Sequence, residues 1–178
     1  MKYMKHLRTF EAQTQTAIKY LKYEYENKAL FMDLDHTIIK PKSGKTFPVN
    51  IDDWMFVPGV LKIMKKFSDD GYKIIIVSNQ GGIEMKYQTE EDTLKKFHNI
   101  TKEAKSFGVD ITKFFYCITN FKDHFDRKPN PGMAFKAEKE FNLDLKESVM
   151  VGDLDTDKEF ARNARIPTYY DIKEFLNL

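Results

Sequence analysis

The feature that most constrains this 178-residue chain is a short apolar run that ends in two acids. Residues 29–32 have the pattern of a buried strand, and Asp33 and Asp35 follow directly. Because burying an unpaired carboxylate costs several kcal/mol, the pair predicts a nearby cation. In an extended segment both side chains point to the same side, which suits a hard cation such as Mg²⁺. An acidic strand-to-loop turn without function is the open alternative.

The rest of the chain alternates predicted strands with predicted helices. This alternation predicts an α/β fold, a Rossmann-like three-layer α/β/α arrangement with a central parallel sheet. Ligands bind such sheets at the carboxyl ends of the strands, where Asp33 and Asp35 lie. We expect strands near 28–34, 72–77, 113–118, 148–151 and 167–170, and helices near 58–70, 89–107, 131–141, 155–164 and 172–176.

Two segments lie outside this alternation. Residues 5–26 have apolar positions at helical spacing, so we expect residues 1–27 to form an amphipathic helix packed on a domain of residues 28–178. Residues 38–57 contain Pro41 and Pro48, which argue against central strands, and predict a small flap with no large cap domain. The flap lysines form either a solvated edge or a positive lip beside a phosphate site: Lys40, Lys42 and Lys45.

Composition limits the classes of function. The net charge of +2 gives no argument for nucleic-acid binding from bulk charge, and the single cysteine, Cys117, excludes a cysteine-rich zinc site. No apolar run approaches the roughly 20 residues of a membrane span, and the first residues lack the apolar stretch of a secretory signal. We therefore expect an intracellular monomer, cytoplasmic or nuclear if the source is eukaryotic.

Three more polar segments accompany the acid pair: residues 78–82 after an apolar run, residues 127–129 before a helix, and residues 152–157 after another apolar run. The order acid pair, hydroxyl, lysine, acid pair resembles the haloacid dehalogenase (HAD) superfamily of phosphotransferases, from residue 28 to about residue 170. Phosphoryl transfer requires a nucleophile, a proton donor and positive charge on the phosphate oxygens. The resemblance implies that Asp33 forms an aspartyl-phosphate and that Asp35 is the general acid and base.

The same resemblance implies the remaining site residues. Ser78 and Lys128 would hold and neutralise the phosphate, and Mg²⁺ would bind Asp33, Asp35 (through its backbone carbonyl), Asp153 and Asp157. His36 occupies a position that is commonly glycine in the superfamily, and the sequence leaves its role open. Substrate contacts are predicted at Thr37, Asn79, Gln80, Gly81, Arg127, Lys40, Lys42 and Lys45.

The sequence of the flap indicates which class of substrate the protein acts on. Residues 33–39, the stretch Ser-Gly-Lys-Thr-Phe-Pro at 43–48, and Asp53 with Trp54 look like the phosphatase domain of the polynucleotide kinase 3′-phosphatases. The likeness implies that a Mg²⁺-dependent phosphomonoesterase removes 3′-phosphates from DNA ends in strand-break repair, with nucleic-acid ends as its partners. The alternative is a small-molecule phosphatase of the histidinol-phosphate or heptose-bisphosphate type. A non-catalytic phospho-binding module is less favoured, because both acids are intact.

Overall fold

The computed structural model describes residues 25–178. The amphipathic helix predicted for residues 1–27 lies outside the described residues except for positions 25–27, so the domain division remains a prediction. At these positions Glu26 and Asn27 donate backbone hydrogen bonds to the carbonyl of Asn142. The elements of the described chain are β1 (Lys28–Met32), β2 (Ile39–Lys40), β3 (Met55–Phe56), α1 (Val60–Asp69), β4 (Tyr72–Asn79), α2 (Glu90–Ser106), β5 (Ile111–Cys117), α3 (Gly132–Phe141), β6 (Val149–Gly152), α4 (Asp155–Asn163), β7 (Thr168–Asp171) and α5 (Ile172–Phe175).

Within residues 25–178, five parallel strands form one sheet in the order β5-β4-β1-β6-β7. The central strand β1 is apolar on both faces because each face is covered. Leu30 belongs to one hydrophobic cluster and Phe31 to the other, and both are fully buried. This two-sided burial explains why β1 reads as a continuous apolar run rather than an alternating one. The predicted α/β fold with a central parallel sheet is confirmed.

The helices complete the two outer layers. One cluster contains Met64 of α1 and Ile100 of α2, and the other contains Ala134 of α3 and Phe160 of α4. In helix α2 the side chain of Thr89 accepts a hydrogen bond from the amide of Asp92, which satisfies one of the free amides at the helix start. None of the helices in the described part of the chain is long and apolar enough to cross a membrane.

The segment between β1 and α1 forms the small flap that the sequence predicts. Its short antiparallel strands β2 and β3 carry an irregular loop, and the buried carboxylate of Asp53 holds this loop together. Asp53 accepts hydrogen bonds from the amide and the hydroxyl of Ser43, at 2.8 and 2.7 Å, and from the amide of Val49 at 2.9 Å. These bonds, with that from Val49 first, keep the pKa of Asp53 below its ordinary value. Trp54 is buried behind the flap, edge-on to Phe56.

We predict that Asp53→Ala loosens the flap without unfolding the sheet. The amides of Ser43 and Val49 lose their acceptor, so their hydrogen exchange should accelerate by roughly tenfold or more, while amides in β1 and β4 keep their protection. Asp52→Ala is the matched control, because Asp52 is exposed and its neighbour carries the contacts. Equal protection in the two variants would show that Asp53 does not hold the flap.

Candidate active site

The predicted polar segments meet at the carboxyl ends of three adjacent strands. Asp33 follows β1, Ser78 is the next-to-last residue of β4, and Asp153 follows β6. Since β4, β1 and β6 are neighbours in the sheet, the topology brings these residues to one edge. The candidate site therefore occupies the edge of the sheet that the sequence predicts.

A buried lysine lies at the centre of this site. The ammonium group of Lys128 donates hydrogen bonds to Asp33 Oδ1 and to Asp157 Oδ1, the latter at 2.6 Å. Lys128 is 4% exposed, Asp33 7% and Asp157 1%. Carboxylate oxygens of Asp33, Asp153 and Asp157 lie within 4.8 Å of one another. The three carboxylates therefore lie close together, and two of them are hydrogen-bonded to one buried ammonium group while Asp153 is half-buried.

The electrostatics of the cluster follow from this imbalance. Burial raises the pKa of Asp33 to about 7, although the ammonium group of Lys128 acts in the opposite direction. Burial and the nearby Asp157 also raise the pKa of Asp153. Burial opposes the charge of Lys128, but Asp33 and Asp157 outweigh it and raise its pKa above the usual value. A site with surplus negative charge and oxygen donors fits a divalent cation such as Mg²⁺.

The backbone around Lys128 is fixed by the side chain of Asn79. Asn79 Nδ2 donates to the carbonyl of Lys128 at 3.0 Å, and the amide of Lys128 donates to Asn79 Oδ1 at 2.9 Å. This pair of bonds joins the end of β4 to the segment before α3. The side chain of Asn79, predicted as a substrate contact, thus holds Lys128 in place.

The acids after β6 are positioned by their own backbone. Asp157 Oδ2 accepts from the amides of Asp153 and Leu154, at 3.2 and 3.1 Å. A Cβ on Gly152 would lie 2.3 Å from the Cβ of Asp157, so this close approach requires glycine. Thr37, also predicted to touch substrate, donates from its hydroxyl to Asp153 Oδ1 at 3.2 Å.

Asp35 is separate from the carboxylate cluster. Its Oδ2 accepts a hydrogen bond from Gln80 Nε2 at 3.0 Å, and the same nitrogen donates to Ser78 Oγ at 2.8 Å. Gln88, which the sequence analysis missed, donates to Gln80 Oε1 at 2.8 Å. No periodicity or motif marks Gln88, because it lies in the loop before α2.

Several predicted substrate contacts have other partners. Arg127 Nη1 donates to the carbonyl of Thr119 at 2.8 Å, within the loop between β5 and α3. A Cβ on Gly81 would lie 2.1 Å from the side chain of Asn120, so this neighbour explains the glycine. Glu84, a second residue that the sequence analysis missed, fastens the same loop by accepting from Thr119 Oγ1 and the amide of Asn120.

The flap is attached to the site through His36. This residue has a φ of 63°, a left-handed conformation that glycine usually adopts, and its Nε2 lies 3.0 Å from the carbonyl of Thr46. The ammonium group of Lys42 lies 5.8 Å from the centre of the Trp54 ring, and Lys45 is exposed. Lys40 is half-buried.

We predict that Asn79→Ala destabilises the protein and misplaces Lys128. Two hydrogen bonds are lost, each worth about 1 kcal/mol, so the free energy of unfolding should fall by about 1–3 kcal/mol in chemical denaturation. Asn163→Ala is the control, since exposed Asn163 donates to the carbonyl of the adjacent Pro129. A loss in Asn79→Ala no larger than in Asn163→Ala would contradict this role.

The chain is similar in sequence to several known proteins. The family model for polynucleotide kinase 3 phosphatase matches residues 28–175. A D-glycero-alpha-D-manno-heptose-1,7-bisphosphate 7-phosphatase from Campylobacter jejuni is 33% identical over 149 residues, which cover 84% of each chain. An enzyme of the same name from Photorhabdus laumondii is 32% identical over 154 residues, 82% of each chain.

Solved structures give the same fold. A protein from Mesorhizobium loti, described as a HAD-like phosphatase, superposes with a TM-score of 0.70 at 27% identity, covering 79% of this chain and 70% of that one. The D,D-heptose 1,7-bisphosphate phosphatase from B. bronchiseptica, solved with magnesium and phosphate, gives a TM-score of 0.69 at 21% identity, covering 81% and 78%.

The fold and the comparisons together define a phosphatase of the HAD superfamily, as the order of its motifs predicts. Within that class, the chain belongs to the polynucleotide kinase 3 phosphatase family. It is accordingly a phosphomonoesterase by family.

The prediction of a DNA 3′-phosphatase is wrong, and so is that of nucleic-acid ends as partners. Relatives that are 32–33% identical over more than four-fifths of the chain are named heptose-bisphosphate phosphatases. The flap gives the physical reason for the error. Among the residues that carried the polynucleotide likeness, Ser43 hydrogen-bonds to Asp53 within the flap, and Trp54 is buried in the hydrophobic core. At these three positions the pattern reflects how the flap folds and gives no evidence for a nucleic-acid strand.

Proposed function

We propose that this protein hydrolyses a phosphate monoester of a small sugar phosphate, of the heptose-bisphosphate type. The observation that carries the proposal is that relatives matched over more than four-fifths of their length are named heptose-bisphosphate phosphatases, and the cluster of Asp33, Asp153 and Asp157 around Lys128 supports it. The small flap leaves the site without a large enclosing domain in the described chain, so specificity would come from the loops around the strand ends.

The chain's own residues supply the nucleophile, the proton donor and part of the positive charge for a two-step transfer. Asp33 attacks phosphorus and forms an aspartyl-phosphate, while Asp35 donates a proton to the leaving sugar oxygen. Asp35 then takes a proton from the water that hydrolyses the intermediate. Lys128 neutralises the phosphate oxygens, and the hydroxyl of Ser78 donates to one of them. The imbalance of three carboxylates against Lys128 supports the requirement for a further cation.

Asp33, Asp153 and Asp157 would hold a Mg²⁺ ion, with the carbonyl of Asp35 as a further ligand. The bound ion would supply positive charge to the phosphate oxygens. Lys128 donates hydrogen bonds to Asp33 and Asp157, and the hydroxyl of Thr37 donates to Asp153. Thus Thr37 and Asn79 would not contact the substrate; they would position Asp153 and Lys128, which act on the metal ion and the phosphate.

A panel of substrates tests the proposal. We expect kcat/KM for D-glycero-D-manno-heptose 1,7-bisphosphate to exceed that for histidinol phosphate and for a 3′-phosphorylated oligonucleotide by roughly a hundredfold, because contacts to the sugar hydroxyls favour one substrate class. Asp33→Asn should lower kcat by roughly a thousandfold or more, with the exposed acid Asp155→Asn as control. Comparable rates across the panel, or an active Asp33→Asn variant, would refute the proposal.

Metal binding should depend on pH in a defined direction. Because the pKa of Asp33 in the folded metal-free protein is about 7 instead of 3.8, the folded protein holds an extra proton between those values. The metal-free protein should therefore lose stability as the pH rises through about 7. Mg²⁺ must displace that proton, so the rise in Tm on adding Mg²⁺ should be larger at pH 8 than at pH 6.

Calorimetry or fluorimetry at pH 6 and pH 8, with and without Mg²⁺, measures the stability of the metal-free protein and the rise in Tm that Mg²⁺ causes. In Asp33→Asn, which has no such proton, the loss of stability from pH 6 to pH 8 should shrink. An equal Mg²⁺-induced rise in Tm at both pH values would contradict the assignment of Asp33 as a ligand.

A further inference from the structure

Gln80 connects two residues of the proposed reaction through a single amide group. Its side chain is 4% exposed, and its backbone amide donates to the carbonyl of Cys117 at 2.7 Å, which fixes its place beside β5. Both hydrogens of its Nε2 are used, one toward Asp35 Oδ2 and one toward Ser78 Oγ. A buried amide with this many defined partners has one orientation.

Gln88 determines which orientation that is. A carboxamide can turn over and exchange its donor and acceptor ends. Gln88 Nε2 donates to Gln80 Oε1 at 2.8 Å, so the oxygen end faces Gln88 and the donor end faces Asp35 and Ser78. Without a donor at position 88, the side-chain amide of Gln80 is no longer held in this orientation.

We infer that Gln80, held in one orientation by Gln88, is a positioning residue for both Asp35 and Ser78. The inference rests on the proposed function, because those two residues receive their roles there. Since Ser78 Oγ accepts from Gln80, its own hydrogen is directed toward another acceptor, which is a phosphate oxygen. Since Asp35 Oδ2 is held by Gln80, Oδ1 is the oxygen left to exchange a proton with the leaving group.

Gln88→Leu tests the inference by removing the donor with little change in volume. Gln80 can then turn over, and Asp35 loses its fixed orientation in part of the molecules. We expect kcat for the sugar phosphate to fall roughly tenfold, because its alkoxide leaving group needs a proton. For p-nitrophenyl phosphate, whose leaving group needs no proton, kcat should fall by a clearly smaller factor, because only the contact of Ser78 with phosphate is weakened.

Gln88→Glu gives a stronger version of the same test. A carboxylate at position 88 attracts the NH₂ end of Gln80, which turns the oxygen end toward Asp35 and Ser78. The hydroxyl of Ser78 then donates to Gln80 and no longer to phosphate. Inhibition by inorganic phosphate should therefore weaken in this variant, and by a larger factor than in Gln88→Leu, where only part of the molecules turn over.

Thr89→Ala is the matched control for a merely structural effect. It removes the cap of α2 one residue away and should lower the Tm while the ratio of the two substrate rates stays unchanged. Equal losses on both substrates in Gln88→Leu would overturn the inference. That failure is distinguishable from failure of the proposed function, which would appear in the wild-type protein and in Asp33→Asn.

Discussion

The contacts of Lys128 with Asp33 and Asp157 are the interaction on which the rest of the site depends. A buried ion pair is stable only when its partners are hydrogen-bonded and correctly placed, because each charge has lost its water. Here Asp33 follows β1, Asp157 lies in the first turn of α4, and Lys128 lies in the segment before α3. The fold must therefore be complete before the charges can offset one another, which couples the assembly of the sheet to the assembly of the site.

The end of β4 shows how residues of the sheet also position residues of the site. Side chains alternate along a strand, so Ser78 and Gln80 point to one side and Asn79 to the other. The hydrogen bond between Gln80 and Ser78 and the bonds between Asn79 and Lys128 follow from that alternation. One tripeptide thus supports the proposed proton donor on one side and the buried lysine on the other, and neither support requires an additional element.

The sequence was sufficient for the fold because the strands are buried on both faces. Runs such as residues 74–77 are apolar throughout, and the helices between them have clear ends, so each predicted strand lies within about two residues of its observed bounds. The order of the motifs also predicted that Asp33, Asp153 and Lys128 lie in one site, because each follows or precedes a recognisable strand or helix. It could not reveal Gln88 or Glu84, whose partners are chosen by loop geometry, nor the packing of Asn120 against Gly81.

The wrong substrate has a related cause. A stretch of sequence informs about a ligand only where the fold does not already use its side chains. In the flap, Ser43 and Asp53 bond to each other, Trp54 is buried, and the carbonyl of Thr46 lies within hydrogen-bond distance of His36. These contacts stabilise the flap and the core, and they would do so whatever the substrate. The side chains of Lys45 and Phe47 are exposed, and Phe47 is 77% accessible. We therefore expect the residues that distinguish one substrate from another to lie at exposed flap positions such as Lys45 and Phe47. Others should lie in the loops between β4 and α2 and between β5 and α3, which contain Gln88 and Lys128.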